Sequence, residues 1–134
     1  MIKTYRNPEE VHKQFMFDDI RRWQVEIQIV NAEMIFYKNL VESHLREMNS
    51  WNATDYQELF YQIENVRQSN IVSQKKLQQF TDEVAVLTKC HNPECQQQYL
   101  DSHVQLRTEL ESRFDEYKKF KKTIMSYLKT RYNY

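Results

Sequence analysis

The stretch Ile20-Arg21-Arg22-Trp23-Gln24-Val25-Glu26-Ile27-Gln28-Ile29-Val30-Asn31-Ala32-Glu33-Met34-Ile35-Phe36-Tyr37 decides the fold. Ile20, Trp23, Ile27, Val30, Met34 and Tyr37 are separated by alternating steps of four and three, and Val41, His44 and Met48 continue the rhythm. That spacing lays one apolar stripe along a helix and not along a strand, where the period would be two. A seven-residue repeat held this long is also the seam of a left-handed coiled coil. Upstream, Asn7-Pro8-Glu9-Glu10 supplies a capping residue, a proline suited to the first helical turn, and carboxylates at the positive end of the helix dipole. A helix over about 8–48 is predicted.

The rhythm recurs twice. Tyr56, Leu59, Ile63, Val66, Asn70, Ser73, Leu77, Phe80, Val84, Leu87 and His91 form a second seam, preceded by Thr54 with Gln57, or Asp55 with Glu58, as a capping box. Asn92-Pro93-Glu94 repeats the earlier opening, and proline disfavours helical geometry in the residue before it. A third seam follows: Tyr99, His103, Leu106, Leu110, Arg113, Tyr117, Phe120, Ile124 and Tyr127, widened by Leu100, Phe114 and Leu128. Helices are therefore expected at about 55–91 and 93–132. Short connections make sequential helices antiparallel neighbours. The fold class is all-α: an elongated up-down-up three-helix bundle with coiled-coil-like heptad seams, a single domain over residues 1–134. Trp51, Tyr56, Tyr127 and Tyr132 should gather at the first-loop end. In outline, three long helices with Trp23 in the first resemble spectrin-like repeats, although the helices here are longer, and the resemblance implies a fold and no activity.

Composition narrows function. The 134 residues contain no glycine and two prolines. Without glycine there is no Gly-rich phosphate loop and no nucleophile elbow. The 19 basic and 19 acidic side chains balance, so no global attraction to nucleic acid or membrane is expected. No run approaches membrane-spanning length, the opening residues carry no apolar leader, and the cytoplasm is the expected compartment. Residues 117–134 hold Lys118, Lys119, Lys121, Lys122, Lys129 and Arg131 among aromatics, with no acid. Cations at a helix C-terminus complement its dipole, and that is the reading taken.

Four groups of side chains remain as candidates. Counting equally outward from loop centres near Asn52 and Asn92 brings Glu33, Asn70 and Arg113 together at mid-bundle with Ser73 adjacent, a buried polar layer that fixes register. The same counting sets Trp23 beside His103 and Phe80, and His44 beside Phe60 and Ile124, which makes both histidines core residues. Cys90, His91 and Cys95, with His12 near them, are the candidate metal set. Their spacing lacks the two short paired-ligand units of zinc motifs, so free thiols are expected, with zinc or a Cys90–Cys95 disulfide as alternatives and no cofactor assigned. A di-iron carboxylate bundle is excluded, because Glu9 and His12 form the sole Glu-x-x-His pair. Last, Val25, Ile29, Ala32 and Phe36, with Ile35 alongside, make a second apolar stripe on the first helix, away from its seam. Such a stripe is normally covered. The expectation is a non-enzymatic interaction protein that forms a homodimer through this face or receives a partner's helix. A small metal- or ligand-binding bundle is the alternative.

Overall fold

The computed structural model describes residues 8–47, 53–87 and 89–132. It consists of α1 (Pro8–Glu47), α2 (Ala53–Leu87) and α3 (Pro93–Tyr132), each packed against both others. At 1.5 Å per residue, the 40 residues of α1 span roughly 60 Å. No helix among the described residues is long and apolar enough to cross a membrane.

The seams meet in one core. α1 contributes Met16, Ile20, Trp23, Ile27, Val30, Met34, Tyr37 and Val41, all buried and still in steps of four and three. α2 supplies Leu59, Ile63, Leu77, Phe80 and Val84, and α3 supplies Tyr99, Leu106, Leu110, Phe114, Tyr117, Ile124 and Leu128. On α3 the buried line departs from the expected seam. Phe114 and Leu128 are buried, whereas Arg113 and Tyr127 are half-buried. Leu106, Leu110 and Phe114 make two successive steps of four, which follows the natural period of a straight helix and drifts off a strict heptad. The drift carries Arg113 to the edge of the α2–α3 contact.

Two boundaries differ from expectation. α2 begins at Ala53, ahead of the Thr54 or Asp55 cap, and ends at Leu87 and not at His91. A turn from the Lys89 amide to the Val86 carbonyl (3.3 Å) closes the chain early, and Asn92 caps α3 by accepting from the Cys95 amide at 2.9 Å. Pro93 takes the first position of α3, where its missing N–H costs nothing. Asn7, Trp51 and the side chains of His44, Tyr56 and Tyr132 lie outside what the structure describes, and the contacts expected of them with it.

Candidate functional site

The second stripe of α1 faces solvent. Val25 is 54% exposed, Ile29 48%, Ile35 48% and Phe36 59%, and Ala32 is exposed between them. At 3.6 residues per turn, Val25, Ile29, Ala32 and Phe36 fall within an arc of about 60°, roughly 160° around the helix from the seam. Phe36 lines a groove with α3, whereas Val25, Ile29 and Ala32 are left open to solvent. Phe15 and Phe17, also exposed, lie nearer the start of α1 and outside the arc. Sequence reasoning passed over them because they share no spacing with the stripe.

The polar layer is assembled in part. Asn70 donates from Nδ2 to the Ile27 carbonyl at 3.1 Å. Arg113 donates from Nη1 to the Ser69 carbonyl and hydroxyl, both at 3.0 Å. Ser73, 1% exposed, returns its hydroxyl to the Ser69 carbonyl at 3.1 Å. Together with Val30, Val66, Phe114 and Tyr117, these side chains line a hollow of about 130 Å³. Glu33 forms no bond to Asn70, Ser73 or Arg113, although it stands beside Tyr117. Its carboxylate binds Lys121 Nζ at 2.5 Å instead. The difference is one of register: Asn70 bonds the Ile27 carbonyl and lines the hollow with Val30, on the N-terminal side of the expected Met34. Apolar spacing names the buried face and leaves open how far one helix slides along another. Ser69, off the seam line, was not foreseen; its one signal is the Ser69-Asn70-Ser73 grouping itself.

Glu33 sets the electrostatics one turn away. Its hydrogen bond holds the Lys121 pKa above the ordinary lysine value. Burial, reinforced by the Glu33 carboxylate, pushes the Tyr117 pKa well above that of a free phenol, and burial raises Tyr37 as well. The Tyr117 hydroxyl is shielded from water and forms no hydrogen bond of normal geometry.

His103 is a core residue with one polar partner: Nε2 lies 2.7 Å from Asp19 Oδ2, and the ring sits 5.8 Å from Trp23 and stacks 5.9 Å from Phe80. Trp23, Phe80 and His103 meet as the loop counting places them. Asp19 was missed, being one step off the α1 seam.

Cys90 and Cys95 are joined in a disulfide, which corrects the expectation of free thiols. The early end of α2 leaves Cys90 in the turn, and the cap at Asn92 folds the first turn of α3 back over it, with the two Cα atoms 6.1 Å apart. A bonded pair offers no thiolates to a metal. His12 and His91 are exposed, and among the described residues no group of three or more His, Cys, Asp or Glu is placed to hold a metal ion.

On α3, Lys121 is tied to Glu33, whereas Lys122 and Lys129 rim an apolar groove against α1. No family model, curated protein or solved structure matches this chain.

Proposed function

We propose that this chain is a non-enzymatic interaction module that self-associates through the outer face of α1 and presents helical surface to a partner. The observation that carries the reading is the exposed stripe Val25–Ile29–Ala32–Phe36, at 48–59% exposure for its three large side chains. Its steps of four, three and four are the same read in either direction. Two copies of α1 laid antiparallel about a twofold axis between Ile29 and Ala32 therefore set Val25 against Phe36 and Ile29 against Ala32, the bulkier side chain of each pair against the slimmer one. Such self-complementarity is what a symmetric dimer interface requires. The flanks tolerate it, because the same pairing puts Arg22 opposite Asn39 and Asp18 opposite Ser43, with no like charges facing.

Sedimentation equilibrium tests the proposal. A mass of twice the 16.6 kDa protomer at micromolar concentration is expected, reverting to one protomer in Ile29→Asp with helix content retained. A wild-type chain that stays monomeric at millimolar concentration overturns it. The cytoplasm belongs to the same proposal. It implies that the Cys90–Cys95 bond exchanges with reductant, because lasting disulfides are rare in reducing compartments.

The alternative, a ligand-binding bundle, has the hollow beside Asn70, Ser73 and Arg113 as its site. At about 130 Å³ it admits a small molecule and no larger one. Thermal stabilisation of the wild type, but not of Arg113→Met, by a small carboxylate or phosphate supports this alternative.

A further inference from the structure

Where α1 and α3 run side by side towards the end of α3, Phe36, Tyr37 and Leu40 face Met125 and Leu128 across a groove of about 780 Å³. Met125 is 52% exposed at its centre, and the Phe36 ring meets Tyr37 edge-on at 5.5 Å, giving the groove a firm apolar wall. Lys122 and Lys129 stand on the α3 side. Neither forms an ion pair with any described residue, and Lys118 and Lys119 add two more cations one turn back. Lys122 and Lys129 are seven residues apart, so they rise from one face of α3 about 11 Å from each other.

We propose that this groove is a docking site for a helix of a partner protein, one that carries an apolar stripe flanked by two acidic side chains seven residues apart. It rests on the interaction-module reading, and names the partner's chemistry, but does not require the α1 dimer. An apolar trough takes the hydrophobic face of an amphipathic helix. Two ammonium groups at heptad spacing, neither paired with a described residue, then select for carboxylates at the same spacing, as flanking charges choose partners between paired helices. A lone fatty carboxylate would engage one lysine and leave the other unused. A second copy of this chain fits less well. The acidic pairs at that spacing on α1 are Asp19–Glu26 and Glu26–Glu33, and Asp19 is already held by His103 at 2.7 Å and Glu33 by Lys121 at 2.5 Å.

The test uses the full chain in the Ile29→Asp background, so that self-association and docking are read separately. The probe is a fluorescein-labelled synthetic helical peptide with leucines at i, i+3, i+4 and i+7 and glutamates seven residues apart on its flank. A control peptide carries lysines at the two glutamate positions. Anisotropy titration at low salt is expected to show binding of the glutamate peptide at least tenfold tighter than the lysine peptide. The charge-reversed Lys122→Glu/Lys129→Glu chain is expected to invert that preference, which a merely unfolded variant cannot do. Equal binding of both peptides, absence of binding at millimolar peptide, or displacement of the glutamate peptide by an equimolar amount of dodecanoate overturns the proposal. If the Ile29→Asp chain binds no peptide but still dimerises, the groove's occupant is a second copy and the proposal also falls. If the wild type is monomeric yet the glutamate peptide binds, the docking site stands and the α1 dimer does not.

Discussion

Replacing Ile29 by aspartate separates the fold from the assembly more cleanly than any other single change. In the isolated bundle Ile29 is 48% exposed on the side of α1 away from the core, so the fold loses little. The cost there is the difference in helix propensity, a few tenths of a kcal/mol. In the antiparallel pair Ile29 lies next to the twofold axis and is covered by the partner. Fully burying an isoleucine side chain is worth about 1.5–3 kcal/mol, and about half of that surface remains to be covered, giving roughly 1 kcal/mol per copy. The symmetric interface counts it twice. Two carboxylates brought near the axis add desolvation and mutual repulsion, which moves the loss beyond about 3 kcal/mol, or more than a hundredfold in the dissociation constant. Sedimentation velocity across a concentration series gives the shift directly, and far-ultraviolet circular dichroism together with the urea midpoint shows whether the bundle is intact. The reasoning is refuted if Ile29→Asp dissociates as the wild type does, or if loss of the dimer comes with loss of helix.

Three other outcomes follow from the interior. Tyr117 and Lys121 both have pKa values raised by folding, so in alkaline solution the unfolded chain loses protons before the folded one does. The stability they contribute is complete below about pH 10 and falls as pH climbs above it; Tyr117→Phe should flatten that fall in urea titrations at pH 9 to 11 while changing stability at pH 7 by about 1 kcal/mol or less. Reducing the Cys90–Cys95 bond, or making Cys90→Ser, opens a loop closed over a separation of 5 residues and should cost about 2 kcal/mol on chain-entropy grounds, read as a lower urea midpoint; no change on reduction contradicts the bond. Asn70→Leu gives up one hydrogen bond to the Ile27 carbonyl and fills the hollow with apolar volume, so the melting temperature should hold or rise, while spin-label distances between α1 and α2 should broaden as shifted alignments become accessible.

The three helices were legible because each seam holds its rhythm for about eight to ten turns, and because Asn-Pro-Glu marks a helix start in plain chemistry. The polar layer was legible as a height and not as a partnership. Asn70, Ser73 and Arg113 do share one level of the bundle, but Glu33 lies further along with Lys121, since apolar spacing names the buried face without fixing how far one helix slides along another. The loop decides the alignment, and Asn49-Ser50-Trp51-Asn52 has no spacing that fixes its centre. The second stripe of α1 was readable because its residues sit opposite the seam. The groove was not, because it needs both α1 and α3: Met125 falls between Lys122 and Lys129 in a run that reads as charged surface, and only packing against Phe36 and Leu40 gives it a facing wall. The disulfide depended on a boundary, since Cys90 faces Cys95 only if α2 stops before it.

The most direct test of the α1 pairing is a distance within the assembly. A single spin label on Asn39→Cys, an exposed position on α1, reports its separation from the same label on the second copy by pulsed electron resonance. Antiparallel pairing about the Ile29–Ala32 centre sets the two labels 17 residues apart along the helix axis, hence about 27 Å once the roughly 9 Å between helices is included. A sharp distribution near that value is the predicted result. A distance near 10 Å, which parallel helices would give, or no dipolar signal at all, contradicts the account.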